Sequence, residues 1–322
     1  DSGDALRGLL QSDQPAGVET PQGKAATAAS AWVDEGPWLV LLLLPLAACD
    51  RNAAPAAQVD KPAANPVFLA DNAIWRDERK QALLQPDGWT SLMGLHWLEL
   101  KAHYIGSGPG SGITPESGLA LTLNGEPLKG RVELQSDHDE APGLIGFDEG
   151  KGVLALIKRG ERYGLRIKHA DAPSRLNFSG LEYWPAEEDW NIEGKFVAHP
   201  AGKTIPIVDI IGTTSDIPNP GAVEFTRDGK AYRLEALDGG DGELFLVLAD
   251  RTSGHGSYPA GRFLGAAAPD AEGKMWLDFN RAYNPPCAFT AYATCPLPPP
   301  ENRLDLAITA GEKTYAHPAL SP

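Results

Sequence analysis

Apolar residues along this chain recur first with the period of a helix and then with that of strands. Between about 70 and 84, Ile74, Leu83 and Leu84 fall near one helical face with Trp75 beside it. Glu78, Arg79 and Lys80 fall outside that face. Asp71 offers an N-cap, and Gln85-Pro86-Asp87-Gly88 supplies the turn chemistry that ends the element. The spacing predicts one short N-terminal helix, about Ala70 to Leu84. Beyond it the apolar runs are short and lie between turn residues. Trp89 to Leu100 suits a strand pair or a short buried segment. LALTL (119–123) meets Asn124-Gly125, the dipeptide of a type I′ hairpin, and strand-like RVELQ (131–135) follows. VLALIKRG (153–160) and RYGLRIKH (162–169) flank a tight turn at Gly160-Glu161. Further strand patterns fall at 195–199, 204–212, 222–237 with its turn at Asp228-Gly229, 243–250, 275–280 and RLDLAITAG (303–311). Spacing of about 8 to 20 residues predicts a mainly β fold of antiparallel strands. Two packed β lobes, 66–140 and 141–322, fit the same pattern.

Residues 1–65 do not read as a folded domain. Trp38 to Ala48 is an eleven-residue apolar run containing Pro45, too short to span a bilayer and of signal-peptide length. It ends in Leu46-Ala47-Ala48-Cys49, which resembles the lipobox of bacterial lipoproteins. That resemblance implies a lipid on Cys49, anchorage to a membrane facing the periplasm, and, through Asp50, retention at the inner membrane. The flank Val33-Asp34-Glu35-Gly36-Pro37 departs from the basic segment such signals carry. Polar, Ala- and Pro-rich residues then form a tether up to the folded part.

Composition narrows the picture further. Glycine (35) and proline (28) favour many turns over long helices. Net charge is −15 with no run of Lys and Arg, which argues against a nucleic-acid partner. No G-x-S-x-G, H-E-x-x-H, Walker loop, C-x-x-C or helix-opening G-x-G-x-x-G is present, so neither a cofactor nor a metal is expected. The stretch 104–113 resembles the phosphopeptide loop of forkhead-associated domains, but Ser107 stands where that family needs Arg. It reads as a glycine-rich turn. Tryptophans 75, 89, 97, 184, 190 and 276 read as core, with Trp184 and Trp190 the best candidates for exposure. His96 reads as a core histidine, whereas His255 in its Gly-rich loop is freer to act.

From Leu248 onward, polar and aromatic residues crowd between apolar runs. Asp278-Phe279-Asn280-Arg281-Ala282-Tyr283-Asn284-Pro285-Pro286-Cys287 and Tyr292-Ala293-Thr294-Cys295-Pro296 stand out. So do Tyr163-Gly164-Leu165-Arg166, Asp250-x-Thr252, Tyr258-x-x-Gly261-Arg262 and Ala310-Gly311-Glu312-Lys313. Together they resemble the DUF1684 family over roughly 75–315, a resemblance that brings no activity with it.

The residues themselves suggest two roles. Asp250, Arg262, Asp278 and Tyr283 are catalytic candidates, because carboxylates beside Arg and Tyr can act as acid and base. Asn280, Arg281, Asn284, Tyr292 and Asn302 are candidate ligand-binding residues. A buried polar network satisfying a long loop-rich segment accounts for the same residues equally well. Cys287 and Cys295 lie eight apart and could close a loop in an oxidising envelope, worth about 2–3 kcal/mol. A disulfide is favoured, with buried thiols or a reactive pair left open. The expected function is an envelope lipoprotein that binds a small molecule, glycan or protein partner. The alternative is a hydrolase-like envelope enzyme built on the same segment.

Overall fold

The computed structural model describes residues 65–98, 121–128, 133–140, 142–240 and 243–317. Cys49, the apolar run before it and the glycine-rich stretch 104–113 lie outside these residues. The fold is mainly β and antiparallel. A first six-stranded sheet has the order β1-β6-β5-β4-β2-β3. Its strands are β1 (Leu92–Leu98), β2 (Thr122–Leu123), β3 (Glu126–Pro127), β4 (Leu144–Phe147), β5 (Gly152–Arg159) and β6 (Arg162–His169). A hairpin of β8 (Thr204–Val208) and β9 (Thr214–Pro218) stands apart. The second six-stranded sheet has the order β13-β12-β11-β10-β7-β14. It contains β7 (Asn191–Ala198), β10 (Gly221–Arg227), β11 (Lys230–Gly240), β12 (Glu243–Leu248), β13 (Arg262–Ala266) and β14 (Lys274–Asp278). The two sheets divide between β6 and β7, not at 140/141, since β4 belongs to the first.

Turn chemistry sets the hairpins. Asn124-Gly125 and Asp228-Gly229 both take positive φ at both residues (51 and 87°, 50 and 75°), as a type I′ turn requires. The first of these closes on Glu126 and Pro127, not on the expected 131–135. Pro127 has no N–H to extend the ladder, and residues 133–135 form no strand. The pattern does not predict β4, β9, β13 or the four-residue α2 (Pro173–Leu176).

The β11–β12–β13 part of the second sheet is buried on both faces. Val223, Phe225, Leu234, Leu246, Leu264 and Leu277 line one face, roofed by Phe279, Leu304, Leu306, Ile308 and Ala310. Leu237, Val247 and Phe263 line the other, against Ile205 and Ile207 of β8, Leu92 of β1, Ala293 and Cys295. Two-sided burial is why Glu243–Leu248 reads as a continuous apolar run. The roof segment 303–311 alternates buried and exposed as a strand would, yet forms none. Its carbonyls at Ile308 and Ala310 are taken by a side chain, the Arg262 guanidinium. Trp190 is 4 % exposed and belongs to the core, whereas Trp276 on the edge strand β14 is 51 % exposed.

The helix differs most from expectation. α1 (Pro66–Leu83) begins four residues before Ala70, capped by the Asn65 side chain accepting from the Val67 amide, with Pro66 at its first position. Its inward face carries Phe68, Asn72, Trp75, Arg76, Arg79 and Leu83, while Val67, Leu69 and Ile74 are exposed. Arg79 therefore points in and Ile74 out, the reverse of the amphipathic reading. The surface that receives the helix holds a buried carboxylate, and a guanidinium satisfies it better than an alkyl chain would. No helix among the described residues is long and apolar enough to cross a membrane.

Candidate functional site

Arg262 begins β13 opposite Leu248, and Asp250 lies two residues past the end of β12, both with side chains essentially inaccessible. The guanidinium donates to Asp250 Oδ2 at 2.9 Å and to the carbonyls of Ile308 (3.0 Å), Ala310 (2.5 Å) and Glu312 (3.3 Å). Asp250 Oδ1 accepts from the Thr252 amide (2.7 Å), the Thr252 hydroxyl (2.6 Å) and the Ile308 amide (3.2 Å). Burial lowers the Arg262 pKa, opposed by the Asp250 charge beside it. Both groups are committed to holding the roof segment on the sheet and offer no face to a substrate.

The candidate asparagines work in the same way. Asn280 pairs with both the N–H and C=O of Glu187 (2.9 Å each) and with Asp278 Oδ1 (2.8 Å). Asn302 accepts from the Glu235 amide (2.7 Å) and donates to the carbonyls of Glu235 and Val247 (2.9 Å each). Each mimics a strand edge. Asp278 Oδ2 pairs with Arg281 Nε at 3.2 Å, and Arg281 also pairs with Asp71 of α1. Tyr292 is 42 % exposed, apart from these groups. Ser257 hydrogen-bonds Thr252 at 2.8 Å but is fully buried, and His255 is exposed on its loop, so these two do not form a nucleophile–base pair.

The seam beneath α1 is different. Arg79 Nε donates to Glu312 Oε1 at 2.9 Å, and its terminal nitrogen donates to the Asn284 carbonyl at 2.9 Å. The same guanidinium lies 4.6 Å from the centre of the Tyr283 ring. Glu312 Oε2 accepts from the Asn284 amide at 2.8 Å. Burial pushes the Glu312 carboxyl up, against the pull of Arg79 and the Asn284 amide. Gly311 makes this placement feasible: its φ is +76°, and a Cβ there would lie 2.3 Å from the Ala282 carbonyl oxygen.

One turn earlier on the helix, Arg76 stacks 4.4 Å over Tyr183 and donates to the Trp184 carbonyl at 3.1 Å. Burial raises the pKa of both Tyr183 and Tyr283, so their hydroxyls stay protonated at neutral pH. Four polar atoms along this seam, Asn72 Oδ1, Arg76 Nε, Tyr183 Oη and Asn284 Oδ1, are buried with no hydrogen-bond partner among the described residues. They comprise two acceptors and two donors.

Of the candidates read from sequence, Asn284 and Tyr283 lie in this seam and Asp278 and Arg281 at its margin. Asn72, Arg76, Arg79, Tyr183 and Glu312 were missed as site residues. Glu312 sits in the Ala310-Gly311-Glu312-Lys313 motif, and an acidic residue between positions destined for burial was the available signal. Among the described residues no three His, Cys, Asp or Glu side chains form a metal-ligand set. A groove of about 400 Å³ on the second sheet, lined by Glu193, Lys195, Glu224 and Lys274, holds none of the candidates.

The expected bridge between Cys287 and Cys295 is not formed: both are free thiols, with the Cys287 amide 3.1 Å from Cys295 Sγ. The contact between the two thiols lowers the Cys287 pKa, while that contact and burial push Cys295 up.

Residues 176–313 match the profile of the family described as a protein of unknown function, DUF1684. The match spans the second sheet and its roof and is shorter at its N-terminal end than the resemblance read from sequence. No functionally curated protein matches the chain. An uncharacterised protein of Haloarcula marismortui, solved by NMR, is 32 % identical over 44 % of this chain and 79 % of its own, with a TM-score of 0.36. The matched segment includes Arg262, Asn280, Asn284 and Glu312, and the chain belongs to the DUF1684 family of proteins of unknown function.

Proposed function

We propose that the protein is an envelope lipoprotein, anchored by a lipid on Cys49, that binds a small neutral oxygen-rich molecule between α1 and the C-terminal segment. The ligand reading rests on the four unpartnered polar atoms of the seam. Buried donors and acceptors of that kind need a partner, and two of each suit hydroxyl groups, which both give and accept hydrogen bonds. The Arg79–Glu312 pair neutralises itself, which favours an uncharged ligand. The commitment of Asp250 and Arg262 to the roof, with Ser257 fully buried, weighs for binding over hydrolysis.

Native and denaturing mass spectrometry of the full chain recovered from a bacterial envelope tests both parts. Extra mass is expected only in the native spectrum, and Tyr183→Phe is expected to lose it. Acyl mass is expected in the denatured spectrum, absent from Cys49→Ser. Equal native and denatured masses would remove the ligand reading; an unmodified Cys49 would remove the anchor.

In such an envelope we expect Cys287 and Cys295 to pass two electrons to a disulfide oxidant, release two protons and close the bridge. Alkylation of the unfolded, unreduced protein should then label neither of them. Two labels before reduction would show that the thiols stay free.

A further inference from the structure

The first sheet carries a row of cations that the seam does not use. Arg162, Arg166 and Lys168 alternate along β6 and so share one face, and Arg159 of β5 stands directly opposite Arg162. Trp89 lies between two of them: the Arg166 guanidinium carbon is 5.4 Å and Lys168 Nζ 5.1 Å from its ring centre. Arg162 lies 4.1 Å over Trp97. Arg159 pairs with Asp137 at 2.8 Å and donates to Thr294 Oγ1 at 2.9 Å, which joins the first sheet to the C-terminal loop. Lys168 donates to the Asp87 carbonyl.

Arg166 is half-buried and forms no ion pair with a carboxylate among the described residues, and its Nε has no hydrogen-bond partner there. Burial and repulsion from Arg159 lower its pKa, against the pull of the Asp137 carboxylate that Arg159 already holds. The chain has 43 acidic residues against 28 basic ones, so carboxylates are not in short supply. A partly desolvated guanidinium beside other cations is unfavourable until an anion joins it.

We propose that Arg166 and Lys168, with Trp89 between them and Arg159 at the rim, bind an oxyanion: the phosphate or carboxylate group of a small molecule. The guanidinium fork matches two oxygens of either group, and the indole holds the fork in place. Lys168 adds a compact point charge. This site is independent of the seam beneath α1.

Calorimetric titration of the full chain with inorganic phosphate, and separately with succinate, at constant ionic strength tests the assignment. At least one anion should saturate a single site. Arg166→Gln should weaken it about tenfold. Lys168→Gln should weaken it by a smaller factor and serves as the second variant should Arg166→Gln fold poorly. Phosphate binding alone assigns a phosphoryl ligand, and succinate binding alone a carboxylate. The site is refuted if neither anion saturates, or if a folded Arg166→Gln or Lys168→Gln chain binds as tightly as the parent.

Discussion

Arg262→Leu is expected to destabilise the protein more than any other single change considered. It leaves Asp250 charged in a site about 1 % accessible and strips the carbonyls of Ile308 and Ala310 of their donor. Breaking a buried pair on one side costs about 3–5 kcal/mol. At about 2–4 °C per kcal/mol for a domain of this size, the thermal midpoint should fall on the order of 10 °C or more. The roof segment should loosen first, because Arg262 supplies what a neighbouring strand would otherwise supply. Arg262→Lys should not rescue it, since one ammonium cannot span Asp250 and three carbonyls with the geometry of a planar fork. Thermal unfolding followed by circular dichroism checks this. A midpoint within a degree or two of the parent would mean that the segment is held by apolar packing alone.

Arg79→Met should have the next largest effect, of similar size but different location. Glu312 is fully buried and relies on Arg79 and the Asn284 amide. Without the guanidinium it is an uncompensated buried charge, again costing about 3–5 kcal/mol. Because burial already raises the Glu312 pKa, lowering the pH protonates the orphaned carboxyl and should recover part of the loss. The sign follows from linkage: a carboxyl with a raised folded-state pKa stabilises fully below its unfolded value, and that contribution fades as pH rises through the folded value. The variant should therefore lose most at neutral pH. Limited proteolysis should show α1 released before the sheets open. The double change Arg79→Met with Glu312→Leu should lie closer to the parent than either single change, since neither charge is then stranded. Equal protease resistance in the Arg79→Met chain would show that α1 is held by Phe68, Trp75 and Leu83 alone.

Much of the fold was legible. Asn124-Gly125 and Asp228-Gly229 name their turns because positive φ at two successive residues is rare outside such dipeptides. What failed was anything decided by distant partners. Arg79 was read as outward because the helix period weighs only apolarity, and the carboxylate it meets lies 233 positions away. RLDLAITAG has the strand period, but period does not reveal whether a ladder or a guanidinium will take the carbonyls. The polar density after Leu248 was visible, yet whether an asparagine clamps backbone or binds ligand was not: Asn302 meets Glu235 across 67 positions. The cationic row shows the same limit. Arg159, Arg162, Arg166 and Lys168 do not look clustered in an acidic sequence, and only strand alternation gathers them on one face.

The order in which these contacts become available constrains how the protein reaches its native state. Among the described residues α1 is synthesised before every strand, whereas the carboxylate that seats it and the residues that roof the second sheet come after the last of them. Domains ordinarily gain by folding from the N-terminal end as they emerge. Here an emerging chain has its sheets but lacks Leu304 to Glu312, so one apolar face and two buried charges stay open. Closure must wait for the end of that segment, and contacts so distant in sequence make the final step slow. Until then the unroofed sheet is an adhesive surface, and a chain shielded up to that moment should be recovered in higher yield than one released early.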